Sequence, residues 1–84
     1  MNRINNMTNI DIYNQVISET LGIPIKNLDY LSRKTCETWD SLNHMKIIFE
    51  LEERFKCNLT RDDILGFITY QDGINILKSK GLTF

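Results

Sequence analysis

The stretch from Ser41 to Phe55 constrains this chain more than any other. Ile47, Ile48, Leu51 and Phe55 recur at steps of one, three and four. That spacing lays them along one face of an α-helix, and no strand of period two puts them on a common side. The residues in front, Asp40 and Ser41, are both good N-cap types, because their side-chain oxygens accept from the unpaired N–H groups of a first helical turn. No sustained period-two run and no Asn-Gly hairpin turn occurs elsewhere, so nothing offers this helix a sheet to pack on. It must pack on other helices.

Three further starts are legible. Thr8-Asn9-Ile10-Asp11 reads as a capping box ahead of Ile10, Tyr13, Val16, Ile17 and Leu21 at helical spacing, and Gly22 with Pro24 closes that helix. Thr60-Arg61-Asp62-Asp63 opens a short helix over Ile64 and Leu65 that Gly66 ends. Thr69-Tyr70-Gln71-Asp72 opens the last helix over Gly73, Ile74 and Leu77, with Gly81 as its C-cap and Lys78 and Lys80 complementing the dipole. The expected fold is all-α: a four-helix bundle of three longer helices and one short third helix. Residues 8–84 form a single domain behind a polar, disordered segment 1–7. Ile23 to Trp39 is long for a connection and should be anchored by Ile25, Leu28 and Leu31, with a short helical turn at Lys26–Tyr30. Gly66 and the brevity of the third helix mark it, with the segment through Phe67, as the part that moves most readily.

At 84 residues there is room for one small core. Ten basic and eleven acidic side chains leave a net charge of −1, which argues against nucleic acid as a partner. The acids gather between Glu37 and Asp63, where seven face four bases. No apolar run approaches a membrane span and no signal-peptide h-region is present, so a cytoplasmic monomer without membrane attachment is expected. Cys36 and Cys57 are too few and too oddly spaced for a disulfide framework or a zinc site, and read as small buried hydrophobes.

The Ser41–Phe55 helix has more apolar surface than one core face needs. Leu42, Met45 and Phe49 form a second stripe beside the first. Flanked by Glu52 and Glu53, that stripe reads as a docking face for basic partners. His44, the only histidine, has no second ligand at metal spacing and completes no nucleophile–base pair with Ser41. It reads as a structural or interface residue. Nothing in the chain assembles a nucleophile, a base and an oxyanion donor, so no catalytic residue is assigned and the protein is not expected to be an enzyme.

The run DSLNHMKIIFELEERF, with the later ITYQDGINIL, resembles the acyl carrier proteins. In that family Asp-Ser-Leu opens the second of four helices, and its serine holds a 4'-phosphopantetheine arm through a phosphodiester. Ile47-Ile48-Phe49-Glu50-Leu51-Glu52-Glu53-Arg54-Phe55 matches the way the family's second helix continues, and Thr69-Tyr70-Gln71-Asp72-Gly73-Ile74 matches the opening of its last. The resemblance covers roughly Ile10 to Leu82. It implies that Ser41 is the attachment site of 4'-phosphopantetheine, delivered from coenzyme A by a phosphopantetheinyl transferase (holo-carrier synthase) with magnesium. The arm would hold an acyl group as a thioester for acyl-loading and acyl-transfer enzymes.

Glu37-Thr38-Trp39 stands where the family commonly has Leu-Gly-x, and Asn43 and Lys46 replace acids usual in housekeeping fatty-acid carriers. A Trp before Asp-Ser-Leu looks like free-standing carriers of specialised pathways, such as polysaccharide decoration or secondary metabolism. Aminoacyl and peptidyl carriers more often show Gly-Gly before the serine, which tilts the cargo toward acyl groups. The alternative from another class is an unmodified interaction module with the carrier fold. The intact Asp40-Ser41-Leu42 argues against it.

Overall fold

The computed structural model describes residues 7–84. The expectation of a disordered segment over 1–7 therefore falls, except for exposed Met7, outside the described residues. Four α-helices follow in order: α1 (Asn9–Leu21), α2 (Ser41–Phe55), α3 (Arg61–Gly66) and α4 (Tyr70–Ser79). Among the described residues there is no strand, only an isolated bridge between Ser32 and Thr69. The chain is an all-α bundle of three longer helices and one short one. Among the described residues no helix is long and apolar enough to cross a membrane.

The caps explain the boundaries. Thr8, Thr60 and Thr69 each accept from the backbone N–H three residues on, while Asp11, Asp63 and Asp72 accept in return from the cap's own N–H. These are three complete capping boxes. Gly22 ends α1 in the left-handed region at φ 71°, and α2 stops at Lys56 in the same region at φ 53°. Gly66 ends α3 as anticipated, as that helix's last residue, and Phe67 follows as the cap. Gly81, at φ 94°, lies one residue beyond the Lys80 cap of α4. Leu82 N–H bonds back to the Leu77 carbonyl and Gly81 N–H to that of Lys78, which makes the turn a Schellman motif.

Tyr13, Val16, Ile17 and Leu21 of α1 meet Ile47, Ile48 and Leu51 of α2, and Ile74 and Leu77 of α4 close the core. Each large apolar side chain buried this way contributes about 1.5–3 kcal/mol. In the α1–α2 connection, Leu28 and Trp39 are the buried anchors and Leu31 is half-buried. Ile25, expected to be an anchor, is exposed, because the helical turn there is a 3₁₀ turn over Ile25–Asn27 that directs Leu28 inward instead. Backbone bonds from Arg33 N–H to Ile68 O (2.8 Å) and from Tyr70 N–H to Leu31 O (3.1 Å) pin the connection to the start of α4. Cys36 and Cys57 are free thiols and only half-buried, not the enclosed hydrophobes expected, since each lies in irregular backbone at the rim of the core.

α3 buries no side chain fully. It is held by its flanks, Leu59 before and Phe67 after, and by the 2.6 Å ion pair between Asp63 and Lys80 beyond the end of α4. The Lys80 ammonium, with the Thr60 N–H, holds the Asp63 carboxyl below the usual carboxylate range. α3 itself is thus lightly packed, but Phe67, expected to belong to the mobile part, is 1% exposed and a core residue.

Gly73 permits a close approach of α4 to Tyr13 and Phe67. The buried Tyr13 hydroxyl donates to the Tyr70 carbonyl (2.7 Å), which draws α4 onto the Tyr13 ring. A methyl group added at Gly73 would lie 2.5 Å from the Phe67 ring and closer still to the Tyr13 hydroxyl. Gly73→Ala should therefore destabilise the protein by about 1–3 kcal/mol despite the better helix propensity of Ala. Gly66→Ala, which meets nothing within 4 Å, should leave stability equal or slightly higher. Urea midpoints of the two variants check this, and equal shifts would contradict the packing described.

Candidate functional site

Ser41 is exposed and is the first residue of α2. The cap role that Asp40 and Ser41 could both fill belongs to Asp40, whose Oδ1 accepts from Asn43 N–H at 2.9 Å. The hydroxyl of Ser41 is therefore not consumed as the cap. It stands where the positive end of the helix dipole favours a negatively charged substituent.

The backbone leading to it is fixed at three successive points. Thr38 Oγ1 donates to the Leu21 carbonyl at the end of α1 (2.8 Å), and the Thr38 carbonyl accepts from Asn43 Nδ2 (2.8 Å). Trp39 follows with its side chain in the core, 3% exposed. Its indole Nε1–H donates to His44 Nδ1 at 3.0 Å. Because the indole can only donate, Nδ1 must be the bare nitrogen, so Nε2 bears the proton and donates to the Ile64 carbonyl at 2.9 Å.

His44 is 4% exposed, and its ring and that of Trp39 both meet Phe67 edge-on at 5.6 Å. Burial pushes its pKa below the ordinary imidazole value. The bond to Ile64 opposes that push, and the Arg33 charge adds to it. A structural role for His44 holds, and the sequence left unread that Trp39 is its partner. An aromatic donor five residues ahead of a histidine, across a helix start, is the signal that was there to find.

Beyond Ser41 the exposed face of α2 is apolar at two points, Leu42 (67% exposed) and Phe49 (62%). Met45, the third member of the expected stripe, is half-buried against the core. Leu65 on α3 adds a further exposed apolar residue. The acidic flank differs from expectation. Glu52 is half-buried and accepts from Leu59 N–H (2.9 Å), holding the turn between α2 and α3. Of the two, Glu53 is the open carboxylate, 3.7 Å from Lys56. Position on the helix explains this, since Glu52 faces the turn and Glu53 the solvent.

Among the described residues no group of three or more His, Cys, Asp or Glu is placed to hold a metal ion. No protein-family model matches this chain, and no solved structure matches it.

Removing the Glu52 acceptor leaves the Leu59 N–H without a partner in a part-buried position, so Glu52→Ala should cost about 1–3 kcal/mol. Glu53→Ala should cost less than about 0.5 kcal/mol, as expected of an exposed pair. Thermal unfolding of both variants checks the assignment; an equal, small effect would return Glu52 to the surface.

Proposed function

We propose that this chain is a carrier protein whose Ser41 takes up a 4'-phosphopantetheine arm. The observation that supports this reading most is an exposed serine at the first position of α2, with the cap role supplied by its neighbour and the preceding loop bonded to α1 and to the core. A hydroxyl in that position is reachable by a modifying enzyme, and the helix start suits the phosphodiester that would form there.

The chain's own residues supply presentation rather than catalysis. Asp40 keeps the first turn closed, Trp39 and Thr38 keep the loop from folding over the hydroxyl, and the exposed Leu42 and Phe49 offer an apolar grip on the helix that Ser41 opens. When bound, the arm would supply a thiol that holds an acyl group as a thioester, activated for transfer and kept at high local concentration by its tether. A phosphopantetheinyl transferase using coenzyme A and magnesium, followed by acyl-loading and acyl-transfer enzymes, are the partners this reading requires. Lys46 and the engagement of Glu52 weaken the acidity of the face, which favours a specialised pathway over bulk fatty-acid synthesis.

Co-expression with a broad-specificity transferase, followed by intact-mass measurement, tests the reading. The parent chain should gain one phosphopantetheine. Ser41→Ala should gain none while losing less than about 0.5 kcal/mol of stability, because Ala is well tolerated at an exposed first-turn position. A parent chain that stays unmodified would favour the interaction module instead, and a modified Ala variant would move the site. Phe49→Glu should leave folding intact and slow modification about tenfold, the effect of losing one well-placed apolar contact; an unchanged rate would place the gripping face elsewhere.

A further inference from the structure

The Trp39–His44–Ile64 chain of hydrogen bonds joins three parts of the molecule that no other bond brings to one point. Trp39 belongs to the loop in front of Ser41, His44 to α2, and Ile64 to α3. Both ring nitrogens are engaged, and the partners are a pure donor and a pure acceptor. The arrangement therefore accepts only the neutral, Nε2-protonated imidazole.

We propose that this chain is a proton-operated latch: neutral His44 ties the Ser41 loop to α3, and proton uptake at Nδ1 breaks the bond to Trp39 and drives the charged ring out toward water, so that it gives up Ile64 as well and frees both. The proton comes from water and adds to the Nδ1 lone pair. The Nε1–H···Nδ1 bond is lost, and two N–H groups are left facing each other at about the distance of the former bond. Among the described residues, a buried imidazolium in contact with the Trp39 and Phe67 rings has no carboxylate to pair with. From the α1–α2 connection the charge facing the ring is Arg33, which opposes a second positive charge. α3 presents the Ile64 carbonyl, and its acids are turned elsewhere: Asp62 is exposed and Asp63 is held by Lys80. The Phe67 segment presents only its ring. At the start of α2, the N-cap Asp40 is committed to the Asn43 N–H.

The outcome is set by what resists opening. α3 buries no side chain fully, so with the latch released it is retained by Leu59, Phe67, the half-buried Ile64 and the Asp63–Lys80 pair. α1 and α4 share the Tyr13–Tyr70 bond and the main core, which the latch meets only through Trp39 and Phe67. Release should therefore be local.

The sign follows from linkage. A histidine whose pKa is lower when latched than when released binds the proton preferentially in the released form. The latch is at full strength above about pH 6.5, the ordinary imidazole value, and weakens as pH falls below it. The proposal stands whether or not Ser41 is modified, so it is tested on the unmodified chain.

The chain has one tryptophan and one histidine, so both ends of the bond report without labelling mutations. The experiment is a titration of the full chain from about pH 8 to about pH 5, following Trp39 fluorescence, the His44 ring by NMR, and amide protection corrected for intrinsic exchange. Protection in α3 should fall about tenfold per pH unit below about pH 6.5, until the latched ring itself takes the proton. α1 should keep its protection, and the Trp39 signal should change with the His44 ring. His44→Gln, whose side-chain carbonyl can accept from the indole, should show protection in α3 that does not vary with pH. A His44 ring that titrates while Trp39 and α3 are unaffected would overturn the latch. So would a ring that stays neutral across the range, or a Gln variant that still loosens with pH.

Discussion

An imidazole with no spare nitrogen holds the Ser41 end of this molecule together. Trp39 cannot leave the core without abandoning the acceptor of its indole N–H, and His44 cannot turn without presenting a donor to a donor. An unsatisfied buried polar group costs about 1–3 kcal/mol, a large share of what a small domain has in reserve. The loop before Ser41, the first turn of α2 and the end of α3 are therefore fixed relative to one another by one side chain. The edge-on packing of Phe67 against both rings seals the arrangement from water.

The remaining architecture divides the load. α1, α2 and α4 share the apolar core, with α4 brought close by the bare Cα of Gly73 and by the Tyr13–Tyr70 bond. α3 is kept in place from outside, through residues that flank it and through polar ties to Lys80 and His44. A bundle built this way has a firm body and one loosely seated element, next to the serine that opens α2. For a carrier, such a division would let the region near the attachment point respond to cargo while the body stays intact.

Much of this was legible in the chain because it is local. A capping box needs only four consecutive residues, so Thr8–Asp11, Thr60–Asp63 and Thr69–Asp72 declare their helices without knowledge of the fold. The inward stripe of α2 is likewise a matter of spacing. What escaped was non-periodic or reached between elements. Ile25 and Leu28 are equally apolar, and only the 3₁₀ turn decides which is buried. Glu52 and Glu53 look alike until the backbone turns at Lys56 and brings the Leu59 N–H to one of them. Trp39 sits in irregular backbone, where no period assigns it a face, so its burial and its bond to His44 depend on how the loop folds back on the helix.

The platform under Ser41 rests on the bond between Trp39 and His44, and its most direct test is the N–N coupling across it. With both rings labelled with nitrogen-15, NMR at neutral pH should show a through-bond coupling between Trp39 Nε1 and His44 Nδ1. The indole proton should exchange slowly, and the histidine should be in the Nε2–H form. No coupling, with an indole proton exchanging at the rate of an exposed tryptophan and a histidine in the Nδ1–H form, would contradict the claim that this bond fixes the platform on which Ser41 stands.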